Sequence, residues 1–392
     1  MKTKLNVASF ALLLSTINYQ LSTAFAQGSL TPPGAPAPTM KTLDQIEART
    51  PIAQLPFTIN TGGSYYLTGN LSTGASNAIV IAASGVTLDL NGFTIYSTAA
   101  LAQYGGTAIL LNDAMTDVTI SNGHIQGGVA RSVLGYFGTG FGSGITGGAK
   151  NIRVRNVSVS GCLYYGIWVG GYFATAQYST EVESCQVQTV GSAGIIAATV
   201  RNSSALDCGD AAIVALQVFD SQGVSSVIGS GMLAYYTAQN CYGYSAANIG
   251  ITTSLALNSR GESASNDGLD ADNAENCTGI SHGSGYTGIY AFKSTINCFG
   301  STSGNGYGIN TSTAQNCEGD SYGNGFGLYA SYNALGCYGL CQGGSGVGIH
   351  AYNAAYCVSQ NYGAGTALQT TMATGCINYQ GTTSATYKYN MP

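Results

Sequence analysis

The stretch from Ser265 to Cys277, SNDGLDADNAENC, gathers acidic side chains in a chain where charged residues make up only 7%. If it is extended, Asp270 and Asp272 point to the same side, because successive side chains of a strand alternate. Asp267 then sits at the bend before them. Glycoside hydrolysis needs two carboxylates, one kept protonated as an acid and one that activates water or attacks. Asp267, Asp270 and Asp272 are therefore the candidate catalytic residues. Asp270, Asp272 and Glu275 also offer oxygen ligands for a loose calcium site, with ordinary solvated acids as the competing reading. No other metal and no cofactor is expected. His124, in SNGHIQG, reads as a bend or surface histidine, and His350 has no acidic residue near or after it. No Ser-His-Asp arrangement is recognisable.

These residues sit inside a repeat. The template A-x-N-[C/S]-x-G places its fourth position at Cys162, Cys185, Ser203, Ser221, Cys241, Ser259, Cys277, Cys298, Cys317, Cys337, Cys357 and Cys376. Between these positions a second element recurs: Gly, a branched aliphatic, a variable residue and usually a small one. It reads GIWV at 166, GIIA at 194, GLDA at 268, GIYA at 288, GLYA at 327 and GIHA at 348. Two elements that keep step at a period of roughly 20 residues describe a solenoid. The variable position is an outward column, running Trp168, Ile196, Val214, Leu233, Thr252, Asp270, Tyr290, Asn310, Tyr329, His350 and Gln369. Aromatic rings on such a face can stack on sugars, and amides can bond hydroxyls. Tyr290, Phe292, Asn310, Tyr329, His350 and Tyr352 are thus the candidate ligand-binding residues. The competing reading of the tyrosines is a plain amphipathic surface.

Residue types select the kind of solenoid. Leucine-rich repeats need several Leu per unit, and helical repeats need a 3.6-residue apolar stripe. A calcium-binding nonapeptide repeat needs regular Asp, yet no acidic residue follows Asp320. Short parallel strands remain, in on the order of 16 coils stacked about 4.8 Å apart, or ~75 Å of rod. VTLDLNGFTI (86–95), VTISNGHIQG (118–127) and NIRVRNVSVSGCLYYGIWV (151–169) resemble coils of right-handed parallel β-helix proteins of the pectate-lyase-like (pectin lyase) fold. LTPPGAPAPTMKTLDQIEARTPI followed by LPFTINTGGSYYLTGNL resembles the start of a group of exported bacterial β-helix repeat proteins. The resemblance covers nearly the whole mature chain and implies an all-β, right-handed parallel β-helix. That fold carries lyases, hydrolases, adhesins and proteins of no known activity, so it names no reaction. NDGLD also resembles the first acidic motif of polygalacturonases, matching at Asp267 and Asp270. The next coil, SGYTGIYAF, lacks their second acidic pair, SHGSG at 281 only echoes their Gly-His-Gly, and no Arg-x-Lys follows. For a pectate lyase, Arg260 and Lys293 are the only nearby cations, and neither stands in a recognisable motif.

The recurring Cys position alternates with Ser at 203, 221 and 259, so it asks first for small volume. A buried free thiol behaves as a small hydrophobe, which makes a packed ladder the leading reading. Disulfides are the second, with Cys208 and Cys341 off the column and Cys337–Cys341 closest in sequence. Parallel neighbours aim their Cβ atoms alike, which suits a disulfide poorly. A soft metal is the third, and stacked thiols offer no tetrahedral site.

Residues 1–26 have the layout of an export signal: a basic start at Lys2 and Lys4, an apolar stretch and Ala24-Phe25-Ala26. Residues 27–56 read as a Pro-rich lead-in with a short capping helix in MKTLDQIEAR (40–49), and 57–392 as the β-helix. Removing Lys2 and Lys4 from 12 basic residues leaves 10 against 17 acidic, a net −7. That balance excludes a nucleic-acid partner, which needs a basic stripe. No second apolar stretch reaches membrane length. The expectation is an exported protein, in the periplasm, on the cell surface or secreted. Its expected role is non-catalytic, in surface or carbohydrate binding with a polysaccharide partner. The alternative is a polysaccharide lyase or glycoside hydrolase acting on an extracellular polysaccharide.

Overall fold

A computed structural model describes residues 48–102, 106–148, 150–170 and 179–391. The expected leader, and the lead-in helix over 40–49 except its last two residues, lie outside the described residues. Among the described residues every regular element is a strand. No helix there is long and apolar enough to cross a membrane. The first of the described strands, Thr50–Ile52, pairs in parallel with Gly63–Leu67.

The chain winds as a parallel β-solenoid of about 16 turns. One stack of strands starts at Phe57–Ile59, climbs through Leu269–Glu275 and Ile289–Ile296, and ends at Thr382–Tyr389. From Ile195–Arg201 onward each of these strands bends in its middle and serves two faces of the coil. The third face is a stack of short strands such as Arg260–Ser263, Thr278–Ser281 and Phe299–Thr302, each parallel to the next. The one antiparallel pair among the described strands is a hairpin, Gly128–Ser132 with Gly135–Thr139.

A single left-handed residue turns the chain between the second and third faces. Asn240, Asn258, Asn276, Asn297 and Asn316 hold φ between 49° and 55° there. Asn adopts that conformation more readily than any other residue with a side chain except Asp, whose short polar group behaves alike. The stacked amides bond to one another: Asn258 Nδ2 donates to Asn240 Oδ1 at 3.2 Å, Asn276 to Asn258 at 3.1 Å and Asn297 to Asn276 at 3.1 Å. The sequence motif thus has a cause. Its Ala and Cys point inward and its Asn makes the corner.

The core narrows along the rod. One inward column of the third face reads Ile95, Ile125, Val159, Val187, Ala205, and then glycine at 223, 243, 261, 279, 300, 319 and 339. In the narrow part the opposite sheet comes within backbone distance. A Cβ added at Gly279 would lie 2.1 Å from the Gly288 carbonyl oxygen and 2.4 Å from Ile289 Cγ1.

The cysteine ladder is buried and its thiols are free. Its members follow the corner residue and hydrogen-bond to the carbonyl two residues back. Cys277 Sγ donates to Glu275 O at 3.2 Å, just as Ser259 Oγ donates to Leu257 O at 2.8 Å. Burial pushes the Cys185 and Cys241 thiols up to about 11, which keeps them protonated. One position needs correction. Cys162 is not the first rung, because the left-handed residue of its coil is Asn156 and the rung there is Val157. Cys162 instead opens a second inward column: Val190, Cys208, Ser225, Ser245, Ser263, Ser281, Thr302, Ser321, Cys341 and Asn361. Cys208 and Cys341 are therefore on a column after all. Apart from Ser225, whose hydroxyl has no partner, its serines and Asn361 satisfy loop carbonyls: Ser263 Oγ donates to Asn248 O at 2.6 Å, and Asn361 Nδ2 to Gly346 O at 2.7 Å.

Two outcomes follow from this packing. Gly279→Val forces apart two sheets already in backbone contact and should lower stability by at least ~1–3 kcal/mol, the cost of overpacking, read as a drop in the urea midpoint. Thiol titration should find the native protein unreactive and all 11 cysteines free after denaturation without reductant; a count well below 11 would mean that disulfides hold the rod.

Candidate functional site

The outward column of the first face runs in unbroken register. Thr252 pairs with Asp270, Asp270 with Tyr290, Tyr290 with Asn310, Asn310 with Tyr329, Tyr329 with His350, and His350 with Gln369. Ala271, Ala291 and Thr311, the next residues along these strands, point inward and are buried. Outward side chains on neighbouring rungs stand about 4.8 Å apart and touch.

The three acids sit at one end of this row. Asp267 lies in the loop before Leu269–Glu275, where its Oδ1 accepts the Thr287 backbone N–H at 2.6 Å. Burial raises its proton affinity, against the Thr287 hydrogen bonds that lower it. Burial pushes Asp270 up to about 6, and the charges of Asp267 and Asp272 add to the shift. Asp272 forms an ion pair with Lys293 at 3.2 Å. Lys293 belongs to an extra residue in Ile289–Ile296, which bulges between Ala291 and Ser294. Glu275 stands beyond the bend of its strand, next to the corner Asn276. Among the described residues no group of three or more His, Cys, Asp or Glu side chains converges on a metal position.

The aromatic half follows immediately. Tyr290, Phe292, Asn310, Ser312, Tyr329 and Ser331 line a groove of 200 Å³. Phe292 is 63% exposed. His350 lies parallel to Tyr329, with ring centroids 4.8 Å apart and 3° between the planes. Tyr352, 57% exposed, stands further along the face and does not line the groove. Two rings that sequence reading did not single out support the stack. Tyr307 and Phe326 lie parallel at 5.1 Å, and both meet Tyr329 edge-on at 5.7 and 5.6 Å. Their signal in the sequence is the residue just before the recurring glycine, as in YGIN and FGLY.

Other chemistry lies off this face. His282 Nε2 and Arg260 each sit 3.0 Å from Glu262, a coil apart in sequence for the histidine. Burial alone would push Glu262 up, but these two partners outweigh it and hold the carboxyl below its usual range. Asp320 is 8% exposed, its Oδ1 has no hydrogen-bond partner, and burial followed by the Glu318 charge pushes it up to about 6. The hairpin is pinned by Tyr136, whose hydroxyl donates to Asp207 Oδ1 at 3.0 Å, and by the ion pair of Arg131 with the same oxygen at 3.2 Å. His124 stands on an early strand between Thr94 and Ser158, far in register from the acids.

No family model matches the chain, and no curated protein matches it. Among solved structures it is similar to two variants of the catalytic domain of a GH87 alpha-1,3-glucanase in complex with nigerose. The first is 13% identical, with a TM-score of 0.29, over 86% of this chain and 60% of that one. The second is 15% identical, with a TM-score of 0.23, over 90% of this chain and 67% of that one. The chain thus spans 60% of the length of the first. The fold assignment rests on the strand register described above.

Asp270 makes a pH dependence. Its carboxyl binds a proton up to about 6 in the folded chain and only up to 3.8, its ordinary value, when unfolded. Between those values the native state holds more protons, so stability falls as pH rises through that window. Asp320 contributes in the same sense. Asp270→Asn should flatten, without abolishing, the fall in urea midpoint between about pH 4 and pH 7; an unchanged slope would remove Asp270 as its source.

Proposed function

We propose that this protein is an exported β-helix rod that binds a polysaccharide along its first face without cleaving it. The observation that carries the reading is the groove where Tyr290, Phe292 and Tyr329 meet Asn310, Ser312 and Ser331. Rings supply flat apolar area for the faces of sugars, while amides and hydroxyls accept and donate to their edges. The stack of Tyr329 on His350, braced by Tyr307 and Phe326, fixes the platform before ligand arrives. Preorganised groups lose less freedom on binding. The leader at 1–26 supports export, and a rod exposed outside the cytoplasm would meet such polymers.

A second reading, a glycoside hydrolase or polysaccharide lyase, is favoured by one observation. Asp270 holds a proton up to about 6 beside Asp267 and Asp272, the division of labour that an acid and a base require. Against it stands Asp272, neutralised by Lys293.

The two readings separate on one panel. Purified protein is incubated with neutral and acidic polysaccharides, with calcium present, and the products are weighed by mass spectrometry. The expected outcome is intact chains, together with binding that weakens about tenfold in Tyr329→Ala, the loss of one good contact. Shortened chains that disappear with Asp270→Asn would replace binding by catalysis.

A further inference from the structure

A second concave surface lies away from the aromatic face, over the corner that the asparagines turn. It is a trough of 870 Å³. One wall is the corner column itself: Ser184, Asn202, Asp220, Asn240, Asn258 and Asn276. The other is the first outward column of the third face, from Gln186 through Ser204 and Gln222 to Thr278. Between them lie Cys185, Ser203, Ser221, Cys241 and Ser259, whose side chains are buried, so the floor is backbone. Six rungs at about 4.8 Å give a length of about 24 Å along the rod.

We propose that this trough is a second glycan track, taking a neutral, hydroxyl-rich polysaccharide laid parallel to the rod axis. Its hydrogen-bonding capacity is regular and partly unspent. Asn240, Asn258 and Asn276 each give one N–H to the neighbouring rung, at 2.8, 3.2 and 3.1 Å. An amide carries two N–H donors and two acceptor sites, so each of these three keeps a donor and an acceptor, beside the Ser184 hydroxyl and the Asp220 carboxylate. A hydroxyl both donates and accepts, and a polymer of hydroxyls can satisfy such a row at every step.

Charge and backbone exclude the competing polymers. The trough contains one acid and one base. Asp220 accepts from Asn240 Nδ2 at 2.8 Å, and Arg260 is paired with Glu262 at 3.0 Å. A nucleic acid or a uronan would need unspent cations along the whole length. A peptide strand would need free backbone groups, as strand addition does. Here those groups are consumed between rungs: Asn202 N–H bonds Phe219 O at 3.2 Å, and Asn240 N–H bonds Leu257 O at 3.0 Å.

The test uses the full chain and titration calorimetry, with a soluble neutral glucan fragment long enough to span the trough and a uronan of matched length. Ser204→Tyr narrows the trough beside Asn202; the same column already carries Tyr242, which lines the trough, and Phe299 and Tyr338 beyond it, so an aromatic fits that face. Measurements are made in the Tyr329→Ala background, which weakens the sheet-face site. The glucan should still bind there, more tightly than the uronan, and Ser204→Tyr should reduce its affinity at least about tenfold. Gln222→Ala combined with Asn258→Gly gives a second loss without a new side chain, since glycine keeps the left-handed corner. Affinity unchanged by both variants would overturn the proposal, as would equal or tighter uronan binding or no glucan binding in the Tyr329→Ala background. Binding lost in Tyr329→Ala and untouched by Ser204→Tyr in the otherwise native chain would sink this track and leave the sheet-face reading standing.

Discussion

Two facing columns of glycine set the cross-section of the coils from Gly223 to Gly339. Gly261, Gly279, Gly300 and Gly319 on one sheet press against Gly268, Gly288, Gly308 and Gly327 on the other. A Cβ added at Gly268 would meet the Ile280 backbone nitrogen at 2.3 Å, and one at Gly319 would meet the Gly327 carbonyl oxygen at 2.2 Å. Close packing of this kind leaves no room for adjustment, so each substitution is felt by the whole rung. The second face must then carry small inward residues, while the branched Leu269, Ile289 and Ile309 fill the first. Ala274, Ala314 and Ala334 fill one column, and Cys277, Cys317 and Cys337 fill the next.

That small core explains why cysteine and serine interchange. Both occupy a minimal volume after the corner, and both carry a proton that can reach the carbonyl two residues back. Ser203 does so at 2.6 Å and Cys298 at 3.2 Å. That carbonyl also accepts a backbone N–H from the neighbouring rung, as Leu257 O does from Asn240 N at 3.0 Å, so the side-chain bond is a second one, and the Val157 rung stands without it. Redox chemistry is unnecessary to account for the ladder. On the outward side, parallel register brings Asp270, Tyr290, Asn310 and Tyr329 into one row.

Much of this was legible in the sequence because two motifs kept step, which fixed the coil length and the outward column from Thr252 to Gln369; earlier in that column Ile196 and Val214 are buried in an apolar cluster with Trp168 and Leu233 against it. The misplacement of Cys162 shows what the pattern lacks. Thiols at a similar spacing look alike in a string, whereas the chain counts from its left-handed residue, here Asn156. Bulges were equally invisible: Lys293 and Tyr332 are extra residues within strands of otherwise regular pairing, and one of them brings a cation to Asp272. The pairing of Glu262 with His282 needed only the coil period applied to charged residues. Asp207 and Tyr136 could not be found that way, since a hairpin outside the repeat joins them.

Most of the basic side chains among the described residues are spent on acids. Glu181 contacts Arg155 at 3.2 Å, Glu183 contacts Arg155 at 3.1 Å, and Glu262, Asp272 and Asp207 each hold a basic partner. Exposed pairs of this kind add little stability, but they remove isolated ions from the surface. What is left to meet a partner is a lattice of amides, hydroxyls and rings repeating at the rung spacing. Each rung offers a weak contact, and a polymer that engages several at once converts later contacts into intramolecular ones. On the polysaccharide-binding reading proposed above, affinity should therefore grow with ligand length, because a single sugar unit would sample only one step of the surface. A rod built from a repeated coil is suited to ligands that are themselves repeated.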